Sequence, residues 1–334
     1  MDYYNCIMGN ESDGFQQAFD TAWAREIASH NQNYIKAHQL AGGNRLRPIL
    51  FAWGYFMRCP DGNIERIGEL AVCVELIHKA SILLDDFIDK DTARHGKPTF
   101  HAEYSVEEAV LYAVFLINRS MEKMAQISTM GFQILTNTLK SMVTGGLMEV
   151  RLTDSHMVDT IKEIIVLETA LLIENCLSLG YLTASSDTDI PSEVSKLGGI
   201  AGYCFQILND MEPFCKSADN ELYKGGHNFD INNKRKNIVI AYLYGACNKS
   251  DRNLLSGGAT FEQIIRLVEK HDIIPFILTE LKDYQITIKQ TIDTLSTNIS
   301  NEAYFSAFRR FVTDMFTICY KKNGLLFEQT FFNE

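Results

Sequence analysis

The stretch Glu75–His101, ELIHKASILLDDFIDKDTARHGKPTFH, constrains this chain more than any other. An apolar helical segment from Leu70 to Leu84 runs into Asp85, Asp86 and Asp89, spaced DDxxD. Positions i and i+4 of a helix share a face, so Asp85 and Asp89 point the same way, one turn apart. Two carboxylates held that close repel each other unless a cation neutralises them. Oxygen ligands with open positions suit Mg²⁺, which keeps waters and completes its shell with a substrate's phosphates. Arg94, His95, Lys97 and His101 follow and offer donors to the same phosphates. Taken alone, DDxxD also describes a solvated acidic helix end, so the flanks must decide.

Elsewhere apolar residues recur at helical spacing, and few stretches alternate with period two. Six prolines, and no Gly/Asn turn between β-branched runs, argue against a sheet. The pattern predicts helices at about 13–38, 44–58, 62–89, 104–118, 120–149, 157–182, 190–215, 233–248, 260–271, 273–297 and 301–322. No linker or repeat divides residues 1–334, so the expectation is one all-α domain, a helical bundle. Such a bundle can build a ligand site in its core from facing helices. At 46% apolar residues, 334 residues are ample for that core.

The net charge of −11 excludes attraction to nucleic acid or anionic membrane by the overall field. A diphosphate would need metal ions and local basic residues. The eight cysteines are scattered without a CxxC pair and read as buried free thiols in a reducing cytosol, with no zinc site. The start, MDYYNCIMGNESDGF, shows no secretory signal. Apolar runs such as Ala109–Ile117 are too short to span a bilayer. The expected location is cytoplasmic. His38, His156 and His271 lack ligand spacing and read as structural.

Two flanks change the standing of the aspartates. GKPTFH follows them, and AGGNRLRP precedes them at Ala41–Pro48. This ordered series resembles the trans-isoprenyl diphosphate synthase (polyprenyl synthetase) family, over roughly Gly42 to Tyr244. The resemblance implies the isoprenoid-synthase helical fold with a central prenyl-binding cavity. It implies Mg²⁺-dependent prenyl transfer from an allylic prenyl diphosphate, in a homodimer or heterodimer. Carried over by motif, Asp85 and Asp89 are metal ligands, with Asp86 as a helper. Arg94, Lys224 and Lys234 are the allylic diphosphate contacts, Asp230 matches an aspartate near the last of these, and Gln206 also fits. Asp210 is the retained metal ligand of a second aspartate motif. Arg47 and His78 match acceptor contacts. Ala80 and Ser81 occupy the positions where bulky aromatics make a floor that stops short products; being small, they leave the tunnel open to about Ile77.

The chain also departs from the family pattern. Where relatives read FQxxDDxxD, it reads FQILNDMEP: Asn209 replaces the first aspartate, Pro213 the last, and Glu212 lies off register. An amide is a poorer Mg²⁺ ligand than a carboxylate. The cyclase template NDxxSxxxE fails too, at Pro213 and Ser217. At acceptor positions Asn44 replaces lysine and His95 replaces arginine, and Glu168 stands where relatives carry the lysine of KTxxL. Charge lost at three diphosphate contacts points to an acceptor other than isopentenyl diphosphate. Two alternatives stay open: a class I terpene cyclase on the same scaffold, and a non-catalytic subunit regulating a competent partner.

Overall fold

The computed structural model of the chain describes residues 12–30, 38–94, 96–152, 157–214, 236–298 and 302–322. Its order is α1 (Ser12–Ser29), α2 (His38–Ala41), α3 (Leu46–Arg58), α4 (Ile64–Ile88), β1 (Ala93–Arg94), β2 (Lys97–Pro98), α5 (Phe100–Glu103), α6 (Val106–Ile127) and α7 (Thr129–Arg151). Then come α8 (Val158–Ile165), a π-helical turn (Val166–Ala170), α9 (Leu171–Thr183), α10 (Ser192–Met211) and a 3₁₀ turn (Glu212–Phe214). The order closes with α11 (Ile238–Ala246), α12 (Lys249–Ser256), α13 (Phe261–Lys270), α14 (Ile273–Asn298) and α15 (Glu302–Lys322). The all-α expectation holds: among the described residues the strands are one two-residue antiparallel pair, Arg94 opposite Lys97.

Local sequence sets the helix ends. Asn63 accepts from Arg66 N at 2.7 Å and starts α4, Ser105 accepts from Glu108 N and starts α6, and Thr260 with Gln263 forms a capping box on α13. The break expected near residue 119 falls instead at Ser128, which ends α6 and caps α7 through Gly131 N. Asn118 and Arg119 stay helical because Arg119 and Lys123 reach across to buried Glu26 on α1. The first helix ends at Ser29, earlier than expected, and residues 249–256, left between expected helices, form α12.

The core runs through the middle of the bundle. Helices α3 and α9 cross closely: a Cβ on Gly54 would lie 2.0 Å from Leu177 O, and one on Gly180 1.9 Å from Phe51 O. Only glycine permits that approach. On the other side of α3, Trp53 packs against Tyr304, Phe308 and Phe311 of α15 at 5.1–5.6 Å between ring centres. These aromatics are core, as their spacing implied. Among the described residues, the continuous helix Val158–Thr183 is long and apolar enough to cross a membrane. Its α9 portion, including Leu172, Ile173, Cys176 and Leu179, is buried in this core.

Candidate active site

A cavity of about 850 Å³ opens between α3, α4, α7, the π turn and α10. Its residues sort into a carboxylate end, a basic end and an apolar section.

The carboxylate end begins on α4. Asp85 is exposed, Asp89 half-buried, and both line the cavity. They lie at the C-terminal end of a helix whose last turn holds no basic residue, where the partial negative charge of the helix adds to theirs. Hard oxygens in a negative field are a donor set that fits Mg²⁺. Asp86 does otherwise. It is fully buried, and its Oδ1 accepts from Arg94 Nε at 2.9 Å and Nη2 at 2.5 Å. The chain turns back to allow this: Lys90 adopts φ 60°, Asp91 N donates to Asp86 O, and the β1–β2 turn carries Gly96 at φ 72°. Asp86 is therefore the anchor of Arg94. A position one residue from Asp85 lies about 100° around the helix and meets the core instead.

Across the cavity, α10 presents Gln206, Asn209 and Asp210, and the 3₁₀ turn presents Glu212. Asp210 is committed on both oxygens. Oδ1 accepts from Gln206 Nε2 at 2.8 Å and Oδ2 from Ile238 N at 3.0 Å, while Asn237 Nδ2 donates to Asp210 O. Gln206 also accepts from Thr169 Oγ1. Asp210 thus caps the start of α11, so its expected metal-ligand role competes with a structural one. The donor set fits a metal on the α4 side and fits it poorly here.

Glu168 lies on the π turn, a feature frequent at functional sites. It packs where Gly145 of α7 leaves room; a Cβ there would lie 2.7 Å from Glu168 Cγ. Its carboxylate pairs with Lys236, which also binds Glu149 at 2.6 Å. The expected repulsion from Glu168 is therefore partly cancelled by a lysine from another segment.

The basic end is built on the loop before α3 and the middle of α4. Arg45, left-handed at φ 50°, donates to Glu75 Oε1 at 2.5 Å and Ala41 O at 2.7 Å, and its guanidinium lies over Phe19 and Trp23. Lys79 donates to Gly42 O at 2.5 Å, with Glu75 Oε1 3.7 Å away. Arg47 lines the same space, its guanidinium 6.0 Å from the Phe205 ring centre. Burial pushes Lys79 down to about 8, with Glu75 opposing and Arg45, Arg47 and Arg94 adding to the drop. Burial also holds His78 well below the usual histidine range, aided by Arg47, Lys79, Arg94 and Arg45. His78 is thus neutral at pH 7.

Ala80 and Ser81 line the cavity between the two ends, and Ile77 lies one turn deeper. Ser81 Oγ turns back to His78 O at 2.9 Å. Beyond them Ile117, Leu139, Met142 and Leu172 make an apolar section, the lining expected of a pocket for a hydrocarbon.

Arg47, His78, Ala80, Ser81, Asp85, Asp89, Arg94, Gln206 and Asp210 therefore line one space. Lys224, Lys234, Asp230 and His95 lie outside the described residues. Sequence reasoning missed Lys79, Arg45 and Lys236. A lysine inside the apolar run LAVCVELIHKASILL was the available signal for Lys79. Away from the cavity, ligand atoms of Cys247, Asp251 and His271 lie within 4.8 Å of one another. Asp251 Oδ2 already meets Lys270, His271 and Asn248 at 2.7–3.0 Å, tying α12 to α13.

A family model described as polyprenyl synthetase matches residues 29–268. Heptaprenyl diphosphate synthase component 2 of Bacillus subtilis is 30% identical over 269 residues, 76% of this chain and 74% of that protein. Its counterpart from Geobacillus stearothermophilus is 32% identical over 61% of this chain, and the match spans 63% of that protein. Among solved structures, a Caulobacter crescentus polyprenyl synthase complexed with calcium and isoprenyl diphosphate superposes with a TM-score of 0.78 at 19% identity, covering 91% of this chain and 94% of that one. Staphylococcus aureus heptaprenyl diphosphate synthase gives 0.76 at 20% identity, covering 91% and 97%. At these identities the structural likeness is one of fold.

Proposed function

Because the chain belongs to the polyprenyl synthetase family, we propose that it is a Mg²⁺-dependent prenyltransferase acting on an allylic prenyl diphosphate. The observation that carries this reading is the placement of Asp85 and Asp89 on a cavity that continues past Ala80 into an apolar section. When bound there, Mg²⁺ supplies positive charge that stabilises the diphosphate leaving group. Asp85 and Asp89 are the residues that would hold it. Asp86 fixes the guanidinium of Arg94 on the same side of the cavity, and Lys224 and Lys234 are assigned to the same diphosphate by motif. Ile117, Leu139, Met142 and Leu172 bind the prenyl chain and exclude water from the allylic carbon.

Residues 1–334 are read as one domain, supported by a hydrophobic core that joins side chains from α1 to α15. Relatives named component 2 support an assembly with a second chain. Leu111, Val114 and Phe115 of α6 and Met130 and Phe132 of α7 are exposed, and large exposed apolar side chains of this kind are the contacts we assign to a partner. Buried free thiols at Cys73, Cys176 and Cys204 fit a reducing cytoplasm.

The test incubates purified protein and Mg²⁺ with geranyl, farnesyl or geranylgeranyl diphosphate, with and without isopentenyl diphosphate, and identifies products by mass spectrometry. Mg²⁺-dependent consumption of an allylic diphosphate is expected; none, alone or with a partner chain, contradicts the reading. A second reading, a subunit whose activity requires a partner, is favoured by the commitment of both Asp210 oxygens. A cyclase needs no second phosphate site and leaves the basic end without a purpose.

A further inference from the structure

Three helix ends meet on the far side of α11 from its cavity end. Cys247 closes α11, its N–H donating to Leu243 O at 2.9 Å. Asp251 lies in the first turn of α12, held there by Asn248, whose Oδ1 accepts from Asp251 N and whose Nδ2 donates to Asp251 Oδ2, both at 3.0 Å. His271 closes α13, and Asp272 at φ 52° turns the chain away. Arg252 of α12 donates to Tyr244 O and Gly245 O, which fixes the end of α11 against α12. Backbone caps therefore position all three side chains.

A thiol, a carboxylate and an imidazole result, with ligand atoms within 4.8 Å of one another. Around a tetrahedral ion with bonds of about 2.0–2.3 Å, ligand atoms lie roughly 3.3–3.8 Å apart, so side-chain rotation of about 1 Å closes the set. Cys247 and Asp251 are buried, and His271 is partly so. Three donors, from Asn248, Lys270 and His271, converge on the single oxygen Asp251 Oδ2. Two of these contacts can yield to a metal. The Lys270 side chain is 54% exposed and can turn to water, and an ion pair so exposed contributes little. The proton between His271 Nε2 and Asp251 Oδ2 is the one an ion replaces.

We propose that Cys247, Asp251 and His271 bind one Zn²⁺ ion, with water as the fourth ligand on the side where Lys270 meets solvent. Sulfur and imidazole select zinc over magnesium, whereas the oxygens of Asp85 and Asp89 select the reverse. Binding takes Cys247 as thiolate and releases its proton to solvent. The ion pins α11, α12 and α13 together. The other end of α11 is held by Asp210, through Ile238 N, so this helix would be fixed at both ends. The spacing of His271 in the sequence hides the site, because the imidazole arrives from 20 residues beyond Asp251. The proposal does not depend on the prenyltransferase reading.

Cobalt is the optical probe. The full chain, stripped with a chelator and dialysed, is titrated with Co²⁺ and then with Zn²⁺. One equivalent of Co²⁺ produces a thiolate-to-cobalt charge-transfer band in the near ultraviolet. Zn²⁺ abolishes the band and excess Mg²⁺ does not. Cys247→Ser removes it, and His271→Gln weakens Co²⁺ binding at least about 10-fold. Zn²⁺ raises the Tm of the unmodified chain by several degrees and leaves that of Cys247→Ser unchanged. Asp85→Asn/Asp89→Asn keeps the band, which separates this site from the cavity. No band, a band that survives in Cys247→Ser, or loss of the band to Mg²⁺ overturns the proposal. Should Cys247→Ser fold poorly, His271→Gln decides: unchanged Co²⁺ affinity there overturns it equally.

Discussion

The two aspartate-bearing walls of the cavity solve the same problem with different means. On α4 three aspartates divide the labour: Asp86 turns inward and holds Arg94, while Asp85 and Asp89 line the cavity. On α10 one aspartate remains, and its two oxygens hold Gln206 and the first turn of α11. A carboxylate that caps a helix is a weaker chelator, because a metal must displace hydrogen bonds already made. The number of acids in a motif therefore decides whether binding and structure can be separated. Asn209 and Pro213 removed that separation from the second wall.

The largest effect expected from breaking this comparison is at Arg94. Arg94→Leu leaves Asp86 buried without its cation and should cost about 3 kcal/mol in denaturant unfolding. Asp210→Ala comes next. It strands the Ile238 N–H and should cost about 1–2 kcal/mol, while Mg²⁺-dependent allylic binding changes little. An affinity loss as large as that of Asp85→Asn would show that the second wall chelates after all.

Lys79 sharpens the contrast by its pH dependence. It is held at about 8 in the folded chain, against ~10.4 when unfolded. Between those values the unfolded chain binds the extra proton, so stability rises with pH across that window. Lys79→Met should abolish that part of the rise and increase Tm by a few degrees at pH 7, measured by calorimetry. A lower Tm would mean that the Gly42 bond outweighs the burial of the charge. The smallest effect is expected at Ala80. Geranylgeranyl diphosphate should bind more tightly than geranyl diphosphate, and Ala80→Phe should reverse the order; each buried CH₂ is worth about 0.8 kcal/mol. An unchanged order would show that the prenyl chain does not pass Ala80.

Much of this was legible in the sequence, because the signals are local. Helical periodicity gave the bundle, and i,i+4 spacing gave the shared face of Asp85 and Asp89. The inward turn of Asp86 was implicit in the same spacing. Long-range pairings were not legible. Arg119 and Lys123 keep α6 intact by reaching Glu26, 93 residues from Arg119. Lys236 pairs with Glu168 from a distant segment, a contact that motif position does not reveal. Lys79 was overlooked for the same reason: its contact, Gly42 O, lies 37 residues away. Motif reasoning asks which residue stands at a position, whereas the cavity responds to whichever cation arrives there.

The central claim is that the α4 wall binds an allylic diphosphate through Mg²⁺. Its most direct test is calorimetric titration of geranylgeranyl diphosphate into the unmodified protein and the Asp85→Asn/Asp89→Asn variant, with Mg²⁺ and with EDTA. The account predicts Mg²⁺-dependent binding that falls about 100-fold or more in the variant, the loss of two charged metal ligands. Equal affinity in both proteins, or full affinity in EDTA, would contradict it.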